Sequence, residues 1–192
     1  VTGMNVTNPQ AIGQGNGYYD AVNQHIILYA NPGMEAPDVF VDKFPLEVKE
    51  ENLTSEVNLK RLTSKLELTI EDVIPNNADS IELKFNNYPY TYYLKTDEVF
   101  ATVHTVGRKL GASDKGACNY SVITQVIGSS TTSDIHIICY DSAGEVIAEK
   151  TAKNVSFVPN KRTMLTGKLF DEKVVSPNIN IDTNWSDDKI EI

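Results

Sequence analysis

Alternation of apolar and polar residues is the feature of this 192-residue sequence that most constrains its fold. In the run Lys65-Leu-Glu-Leu-Thr-Ile70, the aliphatic residues occupy every second position, and Ile81-Glu-Leu-Lys-Phe85 alternates in the same way. Successive side chains of a strand point to opposite faces, so such runs predict half-buried strands. No long stretch shows the i, i+3, i+4, i+7 apolar repeat of an amphipathic helix. The pattern therefore predicts an all-β chain.

Turn signals separate the predicted strands. Pro75-Asn-Asn77 follows the first run, and Asn86-Asn87 is predicted to end the second, so that the pair forms a hairpin or a connection between two sheets. Asp141-Ser-Ala-Gly144 joins residues 134–140 to residues 145–150 as a hairpin, with glycine where a positive φ is usually needed. Further runs at residues 25–29, 162–170 and 178–185 bring the count to about eight to ten short strands, which is typical of a β-sandwich or barrel.

The strand signals form one continuous series. We find no internal repeat of fixed period and no low-complexity linker, so the sequence predicts a single β-sandwich domain over residues 1–192. Residues 1–20 are rich in Gly, Asn and Gln and are predicted to be a loop-rich N-terminal segment. The sandwich core is predicted to lie within residues 62–185.

The charge balance excludes several classes of partner. The formal net charge is −9, from 26 acidic and 17 basic residues. Nucleic acids and anionic membrane surfaces both attract basic proteins, so neither is expected as a partner. No apolar run approaches the roughly 20 residues of a membrane-spanning helix, so no transmembrane segment is expected. The chain begins at Val1 without an initiator methionine, as expected of a processed or truncated product.

Catalytic and cofactor motifs are missing from the sequence. There is no G-x-S-x-G, H-E-x-x-H, P-loop or G-x-G-x-x-G helix start, and the three histidines have no ligand spacing. Adjacent carboxylates such as Glu71 and Asp72 would point to opposite faces of a strand. We therefore expect no enzyme activity, no cofactor and no metal. A calcium site is conceivable where oxygen ligands cluster near the C-terminus, although the EF-hand spacing is missing, at Asp182, Asp187 and Asp188.

A group of tyrosines is the best candidate for a recognition surface. In an extended segment, Tyr88, Tyr90 and Tyr92 would share one face. A flat row of aromatic rings can stack on sugars or on a partner protein. The alternative is that the row packs into the core, as is also expected for Trp185.

The two cysteines allow two interpretations. Cys118 and Cys139 lack the C-x-x-C spacing and the neighbouring histidines of a zinc site. They are either two small, half-buried apolar residues or the halves of a cross-strand disulfide. Cys139 lies in a clear strand, whereas Cys118 follows a glycine-rich loop.

Two stretches resemble the fimbrillin-like proteins of Bacteroidales. Leu59-Lys-Arg61-Leu-Thr-Ser-Lys65-Leu-Glu-Leu-Thr-Ile70 is similar to their "R-x-x-[AS]-K-[LV]" strand. The run from Asn160 through Thr163, Leu165 and Gly167 to Phe170 is similar to their "NxxTxLxGxLF" ending. The resemblance covers roughly residues 55–185. It implies a transthyretin-like, Greek-key sandwich that is exported as an outer-membrane lipoprotein and placed in a pilus. The cysteine that would carry the lipid is absent, so any lipid anchor would lie upstream of Val1.

The resemblance leads to a non-catalytic cell-surface adhesion or fimbrial subunit as the first hypothesis. Its partners would be other fimbrial subunits or a host or bacterial surface. Members of this family that form pili polymerise by strand exchange, and the terminal run containing Ile179, Ile181 and Trp185 would be the donated edge strand. The second hypothesis is a carbohydrate-binding surface lipoprotein that uses the row of Tyr88, Tyr90 and Tyr92. A third is an accessory sandwich domain of a larger secreted enzyme.

Overall fold

The structure, a computed structural model, describes residues 16–20, 25–29, 38–43, 52, 54, 56–171 and 178–182, with the backbone alone for 16–20, 25–29 and 178–182. Every regular element within these ranges is a strand, which confirms the predicted all-β class. The strands are β1 (Asn16–Asp20), β2 (His25–Tyr29), β3 (Phe40–Val41), β4 (Lys60–Arg61), β5 (Thr63–Ile70), β6 (Ala78–Tyr93), β7 (Glu98–Lys109), β8 (Tyr120–Ile127), β9 (Thr132–Asp141), β10 (Val146–Ser156), β11 (Arg162–Gly167) and β12 (Asn178–Asp182). No helix long and apolar enough to cross a membrane occurs in the described ranges.

Two sheets form the body of the structure. In the larger, six-stranded sheet, the long strand β6 pairs with β7 on one side. On its other side, β6 pairs with β9 near its start and with β2 near its end, and β10 and β1 extend those two pairs. The smaller sheet has the order β12-β11-β5-β8. All of these pairs are antiparallel except β11 with β5, which is parallel. A short pair, β3 with β4, stands apart.

The main core lies between the two sheets. The smaller sheet contributes Leu66, Leu68 and Ile70 of β5, and the larger sheet contributes Ile81 and Leu83 of β6, all fully buried. Both alternating runs thus bury the face that the sequence predicted. Burial of such a side chain contributes roughly 1.5–3 kcal/mol to the driving force of folding. The arrangement of two sheets around one core confirms the predicted sandwich.

The connection from β5 to β6 passes between the sheets, which is one of the two alternatives that the sequence allowed. It is held by Asp72, whose carboxylate accepts hydrogen bonds from the backbone N–H groups of Leu169 at 3.0 Å and Phe170 at 2.7 Å. A carboxylate that receives two backbone N–H groups makes charge-assisted bonds, which are stronger than neutral ones. Asp72 therefore fastens this connection to the segment that follows β11.

Strand β6 continues through Asn86 and Asn87, where the sequence predicted a turn. The two asparagines lie at a β-bulge that shifts the register between β6 and β7. Asn86 Oδ1 accepts the N–H of Asp134 at 2.7 Å, and Asn87 Nδ2 donates to the carbonyl of Thr132 at 3.1 Å. The side-chain amides thus hold β6 to β9 just beyond the last ladder pair of these strands, Phe85 with Ile135, and β6 continues to Tyr93.

The hairpin between β9 and β10 matches its prediction. Asp141 Oδ1 accepts the N–H groups of Ala143 and Glu145, both at 2.9 Å, and Gly144 has a φ of +85°. Only glycine adopts that backbone conformation without a steric penalty from Cβ. The turn chemistry therefore explains why the two runs pair with each other.

A second, smaller cluster of buried apolar residues lies at one end of the sandwich. It consists of Val39, Leu62, Tyr92 and Ile127, with Val99 packed against it. Val39 precedes residue 62, so buried packing begins earlier in the chain than the predicted core of residues 62–185. Gly128 donates its N–H to the carbonyl of Leu62 at 2.9 Å and ties the end of β8 to this cluster.

Candidate functional site

The predicted tyrosine row does not form a surface. The side chains of Tyr88 and Tyr92 are 1% and 7% exposed, in the main core and the second cluster respectively, and Tyr90 is half-buried against the main core. The hydroxyl of Tyr88 donates to the carbonyl of Gln125 at 2.9 Å. Burial raises the pKa of Tyr88 well above its usual value. Packing into the core, the alternative that the sequence left open, therefore describes Tyr88 and Tyr92.

Phe100 is an aromatic residue that sequence reasoning missed. It lies on β7 just after the turn from β6, and its side chain is 52% exposed. Its ring makes an edge contact with the ring of Tyr93, with centroids 4.9 Å apart and an interplanar angle of 62°. This contact holds the exposed ring in place on the surface. The only local signal was the apolar pair Val99-Phe100 directly after the polar turn.

Phe100 borders an open cleft of about 570 Å³ at the end of the sandwich that holds the second cluster. One side is formed by the β6–β7 turn and the start of β7, and the other by the loop after β8 and by Pro159. The described residues that line it are Leu62, Tyr92, Asp97, Glu98, Val99, Phe100, Gly128, Ser129, Ser130 and Pro159. Apolar and polar groups are therefore both available to a bound molecule.

Asp97 is the most strongly organised polar group of this cleft. It has a φ of +60°, a conformation that aspartate tolerates better than most residues. Its Oδ1 accepts a hydrogen bond from the Tyr92 hydroxyl and forms an ion pair with Lys43 Nζ. Lys43 and Tyr92 together lower the pKa of Asp97. Burial, followed by the bond to Asp97, raises the pKa of Tyr92 to about 12.

The predicted donor strand lies at the edge of the smaller sheet. Strand β12 pairs antiparallel with β11, placing Ile179 opposite Leu165 and Ile181 opposite Thr163. Both partners on β11 are fully buried. Among the described strands, β12 has no other partner. Trp185 lies outside the described residues, as do two members of the conceivable calcium site, Asp187 and Asp188.

The opposite edge of the smaller sheet is covered by side chains of the larger sheet. Arg108 Nη2 donates to the carbonyl of Ile123 on β8 at 2.9 Å, and the hydroxyl of Tyr88 donates to the carbonyl of Gln125 on the same strand. Acceptors on an edge strand that are already bonded cannot pair with an incoming strand. Side chains of the larger sheet therefore occupy part of the hydrogen-bonding edge of β8. The other edge of this sheet is formed by β12.

In the described part of the chain, no three histidine, cysteine or carboxylate side chains lie close enough together to hold a metal ion. The carboxylates of Asp72 and Asp141 accept backbone N–H groups instead. These two acids therefore have structural roles.

The sequence of residues 11–191 matches the model of one protein family, described as a family of unknown function. The chain belongs to DUF6562. No curated protein matches this DUF6562 chain. Among solved structures, it is similar to a crystal structure from Bacteroides ovatus ATCC 8483 described as a "putative cell adhesion protein". That match has 6% sequence identity and a TM-score of 0.45, and it covers 66% of this chain and 46% of the other, so the chain spans about half of that protein's length.

Both cysteines of the DUF6562 chain are free in the structure, which agrees with the first of the two interpretations, unpaired residues, and not with the disulfide. Cys139 points into the main core from β9, whereas Cys118 is exposed in the loop before β8. A disulfide would require their Cβ atoms to approach within about 4.5 Å, and the structure has no bond between them. Burial raises the pKa of the Cys139 thiol to about 11.

We expect one thiol of the native protein to react with a thiol-specific reagent at pH 8. Cys118 is exposed and should react within minutes, whereas Cys139 is buried and protonated at that pH and should react only after denaturation. The measurement is the number of modified thiols per chain by mass spectrometry, with Cys118→Ser as the control that should abolish native labelling. Equal labelling of both cysteines in the native state would contradict the burial of Cys139. Failure of Cys139 to react in the denatured state would also contradict it.

Proposed function

We propose that this chain is a non-catalytic cell-surface adhesion or fimbrial subunit that joins a neighbouring subunit by exchanging its C-terminal strand. The observation that carries the proposal is the position of β12. It is an edge strand, it is the last described strand of the chain, and β11 is its one partner among the described strands. Edge strands offer unpaired backbone groups that another chain can use.

The pairing of β12 with β11 is of a kind that a second copy can reproduce. It runs from Arg162 opposite Asp182 to Thr166 opposite Asn178 without a register shift. If β12 leaves, β11 loses a full set of ladder bonds on one side, and the β12 of another copy can restore them in the same register. Exchange of identical elements between protomers needs no new interface, because the intramolecular and intermolecular contacts are the same.

The sequence of the acceptor strand adds support. The stretch from Asn160 to Phe170, which resembles the ending of fimbrillin-like proteins, forms β11 and the residues on either side of it. Two apolar residues of β12, Ile179 and Ile181, lie opposite buried residues of that strand. The alternation of Asn and Ile in β12 gives a defined register, because a one-residue slip would turn the isoleucines to the other face.

The proposal includes a location and a class of partner. A subunit that acts through strand exchange works at a surface where further copies or related subunits are present. Its activity depends on backbone pairing and apolar packing and requires no reactive side chain or cofactor. A net charge of −9 keeps separate copies from associating nonspecifically, so that assembly depends on the exchanged strand.

A synthetic peptide of residues 178–192 tests the proposal. We expect a fluorescent form of this peptide to bind slowly to the purified full chain, since it must displace the resident β12. The matched control is the same peptide with Ile179→Asp and Ile181→Asp, which keeps length and backbone but places charges opposite buried residues of β11. Binding is followed by fluorescence anisotropy and assembly by native mass spectrometry. If the peptide neither binds nor assembles with the protein, exchange through β12 is wrong.

A cross-strand lock gives a second test on the full chain. Thr163 and Ile181 are direct neighbours in the register, so Thr163→Cys with Ile181→Cys can form a disulfide that fixes β12 in its own subunit. Cys118→Ser removes the exposed thiol from this variant. We expect peptide exchange to stop under oxidising conditions and to return after reduction. Equal exchange in both states would contradict a role for β12.

A further inference from the structure

The cleft beside Phe100 has properties that strand exchange does not use. It is lined by the β6–β7 turn and the loop after β8, and no residue of β11 or β12 contributes to the described lining. Its volume, about 570 Å³, lies within the range of roughly 300–1,000 Å³ that is usual for small-molecule sites. The cleft is open, so it suits a segment of a longer molecule that lies across the surface.

The apolar part of the cleft includes a fixed, exposed aromatic ring. Phe100 is half exposed although burial of its side chain would be favourable, and the edge contact with Tyr93 restricts its motion. An aromatic ring carries negative charge on its faces, and the C–H groups on one face of a sugar ring are apolar and slightly positive. A ring held in this way is therefore suited to stack on a sugar.

The polar part of the cleft offers acceptors without a strong net charge. Asp97 is paired with Lys43, and both its bond to Lys43 and its bond to Tyr92 fall on Oδ1. No bond from another described residue falls on its Oδ2, which can accept hydrogen bonds from a ligand, and the side chain is 61% exposed. Glu98 is oriented by a hydrogen bond from the hydroxyl of Thr96 at 2.9 Å. Hydrogen bonds from hydroxyl groups to carboxylates are short and stronger than neutral ones.

The charges of the cleft select between classes of ligand. The described lining contains two carboxylates and no lysine or arginine, which disfavours sulfated, phosphorylated or carboxylated ligands. The pairing of Asp97 with Lys43 leaves Glu98 as the one lining carboxylate without an ion pair in the described structure, so the attraction for a cation is weak. Ser130 adds a hydroxyl group that can both donate and accept, whereas the hydroxyl of Ser129 is already bonded to Thr131.

From this combination we infer that the cleft binds a neutral saccharide. Phe100 stacks on the apolar face of one sugar ring, and Asp97 Oδ2 and Glu98 accept hydrogen bonds from its hydroxyl groups. The inference does not depend on strand exchange, because the two features use different residues. Tyr88 and Tyr92 of the predicted row are buried, so the cleft beside Phe100 is the surface that an adhesion subunit can present to a glycan.

The test is an array of neutral and acidic oligosaccharides, followed by calorimetric titration with the neutral oligosaccharide that binds best. Phe100→Ala is expected to weaken binding about tenfold or more, which corresponds to about 1.4 kcal/mol. Val103→Ala is the matched control, because Val103 lies on the same strand, is 74% exposed and does not line the cleft. Its affinity should stay within about twofold of the unmodified protein. Asp97→Asn removes the charge at a position where asparagine also tolerates the backbone, and binding should weaken severalfold.

Several outcomes would overturn the inference. These are retention of acidic oligosaccharides in preference to neutral ones, retention of no neutral oligosaccharide at all, or equal affinities for the Phe100→Ala and Val103→Ala variants. Binding that weakens steeply with added salt would also contradict it, because a neutral ligand makes no ion pair that salt can screen. Phe100 and Val103 are both exposed, so the two alanine variants should have the melting temperature of the unmodified protein, which shows that each is folded.

Discussion

Replacing Phe85 with alanine is expected to lower the free energy of unfolding by about 3–5 kcal/mol, the range found for such truncations in well-packed cores. Phe85 is 1% exposed. Its ring meets Tyr88 edge-on at a centroid distance of 5.0 Å and lies 6.2 Å from the ring of Phe157. Alanine would remove both contacts and leave a cavity that the two rigid sheets cannot close. Urea unfolding monitored by circular dichroism measures the loss.

Two controls isolate the effect of the cavity. Phe85→Leu keeps most of the volume and should destabilise the protein by about 1 kcal/mol. Phe100→Ala removes an exposed ring and should change stability by about 0.5 kcal/mol or less. If Phe85→Ala were no more destabilising than Phe100→Ala, the two sheets could not be packed around Phe85 as described.

The second large effect is expected from Gly128→Ala, with a loss of about 3 kcal/mol through overpacking. A Cβ on Gly128 would lie 2.5 Å from both the backbone N and the Cα of Pro159. Both contacts are with backbone atoms, so no side-chain rotation relieves the clash. The chain would have to move apart between the end of β8 and the turn before β11, beside the second apolar cluster. The thermal midpoint by calorimetry is the measurement.

Two other glycines separate this clash from the general effect of adding a methyl group. Gly107 has an ordinary φ, and its nearest neighbour is 4.0 Å from the added Cβ, so Gly107→Ala should be nearly neutral. Gly144 has open space around it but a φ of +85°, so Gly144→Ala should lose about 1–2 kcal/mol through backbone strain alone. If Gly128→Ala fell between these two, close packing of Gly128 against Pro159 would be contradicted.

Much of the sandwich could be predicted from local alternation. In β5 the aliphatic residues Leu66, Leu68 and Ile70 face the core without interruption, because the strand pairs regularly with β8 on one side and β11 on the other. Alternation of apolar and polar residues predicts which side chains are buried as long as no bulge interrupts the pairing of the strand. The hairpin at Gly144 was predictable for a similar reason, since its turn residues act over a few positions.

The rule failed in β6, where Asn86 and Asn87 form a bulge. Before it, Ile81, Leu83 and Phe85 face inward from odd positions, whereas after it Tyr88 faces inward from an even one. Asparagine pairs are common in turns, and nothing in the local sequence shows that their amides would instead bond to β9. The burial of the tyrosines therefore depends on tertiary contacts that a single sequence does not display.

The cleft could not be predicted from the sequence, because the residues that line it are far apart along the chain. Asp97 comes from the β6–β7 turn and Phe100 from the start of β7, whereas Ser129 and Pro159 come from two distant loops. Their proximity results from the packing of Leu62 against Tyr92 and Ile127. No motif spacing encodes it. The edge position of β12, in contrast, was expected from the resemblance, and the structure adds the identity of its neighbour.

The parallel pairing of β5 with β11 has a consequence for how the chain folds. Lys65 lies beside Arg162 in this pair, so β5 cannot complete its pairing until a segment synthesised much later is available. Contacts between residues far apart in sequence slow folding, because closing a long loop costs entropy before any contact forms. The β5–β11 ladder therefore forms late, whereas β11 and β12 are close in sequence and can pair earlier. Until that ladder forms, the edge of β5 that receives β11 has no partner, and pairing with a strand of another copy at that stage would not require a finished subunit to unfold.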